Sequence, residues 1–140
     1  MNIFVDCEFN DFGGDLISMG LVDQNGEHWY GVLKCENPTK WVSKNVMPVL
    51  NQGCEPVQVF RLRLQNFLNA YETCHIIADW PEDIAWFCRM LITGPGQRIA
   101  TPPLTFEIDR RLDSKNSAVP HNALHDAYAI RKYWANLVKP

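Results

Sequence analysis

The sequence predicts a single α/β domain over residues 1–140, built as a five-stranded mixed sheet flanked by helices. Three observations predict it. The first third of the chain alternates short apolar runs with turn signals, as an antiparallel meander does; the rest alternates helical patterns with short apolar strands; and Cys74–Ala78 is apolar on both faces apart from His75, as a buried parallel strand would be.

The elements follow in order. Ile3-Phe4-Val5 starts a first strand that closes on Asp6 and Glu8. Asn10 to Asp15 is a turn signal, Leu16 to Val22 a second strand, Asp23 to Gly26 a turn, and His28 to Leu33 a third strand. Trp41 to Met47 is predicted as a short helix ended by Pro48. A firm amphipathic helix is marked by Val57, Phe60, Leu64, Phe67, Leu68 and Tyr71. After the strand Cys74 to Ala78, Pro81 and Asp83 open a helix running to about Ile92. Thr93 to Pro103 is predicted as loop, Leu104 to Ile108 as the fifth strand, and Asp109 to Val119 as a polar segment. Asn122 is the N-cap of the last helix, whose stripe Ala123, Ala127, Ile130, Trp134 and Leu137 is expected to be buried. There are no internal repeats or low-complexity tracts.

Composition narrows the class. With 140 residues and 46% hydrophobic, the chain can bury one proper core and is too short for two ordinary domains. No apolar run approaches the ~18 residues of a membrane span, and the first residues lack a signal-peptide pattern, so a cytoplasmic protein with no membrane association is expected. The five cysteines are scattered without a C-x-x-C pair, so neither a disulfide frame nor a zinc ribbon is indicated and most are expected to be buried thiols. A net charge of −3 argues against broad, sequence-blind binding of duplex nucleic acid. Local basic clusters remain at Arg61 and Arg63, at Arg110, Arg111 and Lys115, and at Arg131 and Lys132. Each is ordinary solvated charge or a contact to a few phosphates.

The chemistry concentrates at two places. On a strand, Asp6 and Glu8 share a face about 7 Å apart along the chain, while Ile3, Val5, Cys7 and Phe9 line the other. Carboxylates leaving a central strand need a cation, a hydrogen-bonding shell or a proton. Near the other end, Asp126 borders the buried stripe of the last helix and leans toward the core, and His121 sits just outside the helix start. Histidine is the residue type that changes charge near neutral pH.

Asp6-x-Glu8 on the first strand, taken with His121-x-x-x-x-Asp126, resembles the DEDDh family of 3′ to 5′ exonucleases, relatives of RNase T and of the polymerase proofreading subunit. The resemblance covers nearly the whole chain and implies a ribonuclease H-like fold. It also implies two Mg²⁺ or Mn²⁺ ions and phosphodiester hydrolysis that releases 5′-mononucleotides. Asp6 would bridge both ions, Glu8 and Asp126 would complete one, and Asp83 would hold the second. His121 would take the proton from the attacking water, on a segment that closes over substrate. Asp83 matches the family's third aspartate as an inward residue at a helix start, with Asp79 at the strand end as competitor; the family's asparagine and aromatic before that aspartate are missing from Asp79-Trp80-Pro81-Glu82. Four carboxylates within ~6 Å would repel by roughly 3 kcal/mol per pair at an effective dielectric near 20, which calls for hard cations.

Rival readings of these residues are weaker. His121 and His125 stand i, i+4 as in zinc hydrolases, but Asn122 replaces the general-base glutamate. Asp6, Glu8 and Asn10 imitate a calcium loop, but Asp11 and Ile17 occupy the required glycine and glutamate positions. A non-catalytic nucleic-acid-binding module is the bland alternative. His125 is expected to be structural. Trp29, Trp41, Trp86 and Trp134 are expected in the core. Trp80 is expected to touch a nucleobase, with Phe9, Arg110 and Arg111 as further substrate contacts. Within the superfamily the chain is similar to a small exoribonuclease subgroup related to RNase T. Single-stranded 3′ ends, RNA favoured over DNA, and a homodimer are what that similarity implies.

Overall fold

A computed structural model describes all residues from Met1 to Pro140. Its core is a five-stranded sheet in the order β3-β2-β1-β4-β7, with β1 (Asn2–Phe9), β2 (Leu16–Asp23), β3 (His28–Val32), β4 (Cys74–Ala78) and β7 (Leu104–Ile108). β1 is central. It runs antiparallel to β2 and parallel to β4, and β7 is parallel to β4, so the meander and the crossover strands meet at β1. The remaining elements are α1 (Lys40–Asn45), a 3₁₀ turn (Met47–Val49), α2 (Val57–Leu68), α3 (Pro81–Leu91), the small hairpin of β5 (Ile92–Gly94) and β6 (Gln97–Arg98), and α4 (Ala123–Leu137). No helix is long and apolar enough to cross a membrane.

Strand alternation separates the two faces. Ile3, Val5, Cys7, Met19, Leu21, Ile76 and Ala78 join Phe60, Leu64 and Leu68 of α2 and Phe87 and Met90 of α3 in the main core. On the other face Phe4 and Ile77 pack with Leu112 and with Ile130 of α4, and a third cluster seats Val42 and Val46 on Ile17, Tyr30 and Ala123. Phe4, Asp6 and Glu8 share the α4 face. The strand that builds the core therefore also carries the acids.

The structure corrects several local expectations. Residues 93–103 are not all loop: Pro95-Gly96, with Gly96 at φ +65, supplies a tight turn that pairs Gly94 with Gln97. Tyr71 lies beyond α2 and donates its hydroxyl to Asp23 Oδ2 at 2.8 Å. Leu137 is 45% exposed, whereas Trp134, one turn back, packs its ring 5.1 Å from Phe4. Of the five thiols only Cys7 and Cys74, on central strands, are buried; Cys35 and Cys88 are half-buried and Cys54 is exposed. Trp29 is in the core, but Trp41 is 48% exposed, since the six residues of α1 are too few to bury both Val42 and its neighbour.

Candidate active site

Asp6 and Glu8 stand on β1 opposite Gly20 and Ser18 of β2. Gly20 is what lets the last helix reach them. A Cβ there would lie 2.5 Å from the Ala123 carbonyl oxygen and 2.5 Å from Leu124 N and Cα, so α4 begins directly on the bare backbone beside Asp6. A glycine inside a strand pattern is the sequence signal for such an approach. Asn122 fixes the same end of the helix: its Oδ1 accepts the His125 N–H at 3.1 Å and its Nδ2 donates to the Val49 carbonyl at 2.9 Å. One turn on, Asp126 is carried to β1. Its Oδ2 accepts the backbone N–H of His121 at 3.1 Å, across a left-handed turn in which His121 has φ +69, and its Oδ1 is buried without a partner.

The fourth and fifth acids come from the other side. The ladder between β1 and β4 ends at Phe4 and Ile77, which leaves the Cys7 N–H without a strand partner; Asp83 Oδ1, in the first turn of α3, accepts it at 3.1 Å. Asp79 follows the end of β4. Asp6, Glu8 and Asp126 place one carboxylate oxygen each within 4.8 Å of one another, and so do Asp6, Asp79 and Asp83. Asp83 and Asp79 both reach Asp6, one from the helix and one from the strand end. Asp6 is common to both groups, and its Oδ2 is buried with no hydrogen-bond partner.

Electrostatics follow from that crowding. Burial lifts the Asp6 carboxyl far above the usual range, and Asp83, Glu8, Asp126 and Asp79 lift it further. Glu8 is pushed up to about 8, by burial first and then by Asp126 and Asp83. Asp83 is raised by burial and by Asp79, and held partly down by the Cys7 N–H; Asp126 is raised by burial and held partly down by the His121 N–H, while the Ser117 hydroxyl makes no hydrogen bond to it. Asp79 is also raised by burial, with Arg110 opposing. An all-carboxylate donor set with orphaned buried oxygens fits a hard divalent cation, whose charge supplies what the hydrogen bonds do not.

The aromatic and basic candidates divide. Trp80, 46% exposed, precedes α3 beside Asp79 and Asp83, and the Arg110 guanidinium lies 4.7 Å over its ring while donating to the Asp79 carbonyl. Arg111 turns away to Asp109, with Nε to Oδ1 at 2.9 Å and Nη2 to Oδ2 at 2.7 Å, and this pairing holds Asp109 below the usual carboxylate range. Its charge is already matched, which weakens it as a phosphate contact. Phe9 lies where the β1–β2 register shifts and rests half-buried against the main core. Trp41, expected in the core, sets its ring edge-on to the His121 imidazole with centroids 5.0 Å apart. Neither that contact nor the role of Gly20 was apparent from spacing.

No protein-family model matches the chain, and no match was found among curated proteins.

Proposed function

We propose that the protein is a divalent-metal-dependent 3′ to 5′ exonuclease of the DEDDh type with a ribonuclease H-like fold, acting on single-stranded 3′ ends and on RNA in preference to DNA. The observation that carries this reading is the pair of three-carboxylate groups that share Asp6. A residue common to two adjacent sites is what a two-ion centre for phosphodiester cleavage requires. The central placement of the acid-bearing first strand supports the fold.

Glu8 and Asp126 would hold one Mg²⁺ or Mn²⁺ with Asp6, and Asp83 and Asp79 the other. When bound, such ions activate water and stabilise the charge that develops on a phosphodiester. His121 would act as the general base. Its backbone is tied to Asp126 and its ring rests against Trp41, so the imidazole is placed by the same helix start that delivers a ligand. Trp80 offers an exposed indole face for a terminal base, and Arg110 brings a positive charge within reach of a phosphate. The choice of RNA rests on the resemblance alone.

The test is purified protein with Mg²⁺ or Mn²⁺ and end-labelled RNA and DNA of matched sequence. Stepwise shortening from a free 3′-hydroxyl, with 5′-mononucleotides released, faster on RNA and absent in chelator, is expected. Undiminished cleavage in excess chelator, or rapid cutting of a circular single strand, would overturn the reading.

A further inference from the structure

Two cavities of about 250 and 120 Å³ lie between α4 and the segment 113–118. Asn116, Ala129 and Lys132 line both, so the two form one groove; His125, Tyr128 and Arg131 belong to the larger part and Asp113 to the smaller. Asp126, three residues before Ala129, is a neighbour on the helix surface, so the groove adjoins the acid centre, and its wall opposite α4 is the segment that leads to His121. Charge in the groove is one-sided. Asp113 is the only acid in its lining, and both its oxygens are taken: Oδ2 pairs with Lys115 Nζ at 3.4 Å and Oδ1 accepts the Lys115 N–H at 3.0 Å. Arg131 and Lys132 pair with no carboxylate. Arg131 is fixed all the same, because its Nε and Nη2 donate to the Gln24 carbonyl at 3.1 and 2.8 Å. A carbonyl does not cancel the charge of a guanidinium, and the N–H groups of Nη1 remain free. A fully charged fork held in one place is suited to a phosphate.

We propose that this groove holds the phosphate backbone of the nucleic-acid strand whose 3′ end lies at the acid centre, with Arg131 and Lys132 each taking a phosphate. The inference rests on the proposed function for the identity of that strand as substrate. In a chain of net charge −3, a groove without an unpaired acid is where a polyanion can lie close to five carboxylates. Its length suits a repeated charge and not a single small anion. Lys132 lies six residues along α4 from Asp126, about 9 Å at 1.5 Å per residue, and a stacked strand advances roughly 3.4 Å per nucleotide, so the groove meets the strand about three nucleotides from its end. The groove offers no free aromatic face to read a base. The Tyr128 hydroxyl is held by the Gly26 carbonyl at 3.1 Å and by His28 Nδ1 at 2.8 Å, and its ring lies against the His28 ring with centroids 5.7 Å apart. Binding there is therefore independent of base sequence and dependent on strand length.

The test is fluorescence anisotropy of a labelled RNA octanucleotide with the intact protein, in Ca²⁺ in place of Mg²⁺ and over a range of salt, beside turnover of a dinucleotide too short to reach the groove. Lys132→Gln should raise the octanucleotide Kd roughly threefold and lower the slope of log Kd against log salt by about 0.7, the value of one phosphate contact on a single strand; adding Arg131→Gln should about double the change in slope. Neither should alter kcat/KM on the dinucleotide. Arg98→Gln removes the same charge from the hairpin after α3 and should leave the slope unchanged. Circular dichroism checks folding; if the Arg131 variant fails, Lys132→Gln decides alone, since that side chain is exposed and bonded to nothing. An unchanged slope in Lys132→Gln, an equal change in Arg98→Gln, a matching loss on the dinucleotide, or a wild type that does not bind the octanucleotide overturns the proposal. A slope that falls as expected in a protein that cuts neither substrate would sink the exonuclease reading and keep the groove, whereas stepwise cleavage with an unchanged slope would do the reverse.

Discussion

Replacing Glu8 by glutamine should stabilise the protein in the absence of divalent cations, and the gain should depend on pH in a way that surface substitutions do not. Burial and the neighbouring Asp126 and Asp83 carry the Glu8 carboxyl from an ordinary 4.5 to about 8. Between those values the folded protein keeps a proton that the unfolded chain has released, so stability falls as pH rises from about 4.5 to about 8 and then levels off. At pH 7 the interval above 4.5, at about 1.4 kcal/mol per pH unit, amounts to roughly 3 kcal/mol. Glutamine has no such loss, but its amide adds polar atoms to a site already short of donors and acceptors in the right places, so about half of this should survive. For a chain of this size the melting temperature should rise by roughly 5 °C at pH 7 in chelator. Near pH 4.5 the gain should give way to a loss, since only the cost of the amide, which does not depend on pH, is left there. Saturating Mn²⁺ should reverse the order, because the wild-type site binds the ion more tightly and is stabilised more by it. Thermal melts at two pH values, with chelator and with Mn²⁺, provide the readout. A gain of equal size at pH 4.5 and pH 7, or a loss at pH 7, would show that Glu8 is not held among like charges.

Other perturbations address single parts of the site. Asp83→Asn and Asp79→Asn should each cut metal-dependent turnover on labelled RNA by more than tenfold, since both reach Asp6; a rate within a few-fold of wild type for either one removes that residue from the ligand set. His121→Ala should lower turnover by about 10² to 10⁴ with Mn²⁺-induced thermal stabilisation nearly intact, because the histidine is assigned as base and not ligand; equal loss of both would make it a ligand. Gly20→Ala should destabilise by about 2 kcal/mol or more, as its Cβ meets the backbone of Ala123 and Leu124, and should weaken Mn²⁺ binding in proportion as α4 is pushed off β1; a variant of wild-type stability would contradict the close approach.

What the sequence made legible were features encoded within a few residues. Asp6 and Glu8 share a face because a strand alternates, and Asn122 caps α4 because an asparagine before an apolar stripe can satisfy a free N–H. What it did not show depended on elements far apart in the chain. Asp79 and Asp83 read as competitors when each is taken on its own element, and that both approach Asp6, from a strand end and a helix start, is set by the crossover that brings those elements together. Residue type alone puts Trp41 in the core, whereas its contact with His121 joins α1 to a loop 80 residues away. Arg111 reads as free in the sequence because its partner, Asp109, lies two residues back in a turn whose geometry periodicity does not define.

The placement of the acids explains how the fold tolerates them. Asp6 and Glu8 lie toward the C-terminal end of the central strand, and Asp79 just past the end of its parallel neighbour, which is the side of an open α/β sheet where ligands bind. Asp83 and Asp126 each sit in the first turn of a helix, where the free N–H groups and the positive end of the helix favour a negative charge. Two helix starts at roughly half a charge each cannot balance five carboxylates, and the Cys7 and His121 amides occupy only one oxygen each of Asp83 and Asp126. The remainder appears as raised carboxyl pKa values and as bare oxygens on Asp6 and Asp126. A core selected for stability alone would have replaced Asp6 with an apolar residue to match Phe4 on the same face. An acid kept there fits a site that a cation could complete, and the same imbalance that makes the metal-free protein gain from Glu8→Gln would favour the binding of such an ion.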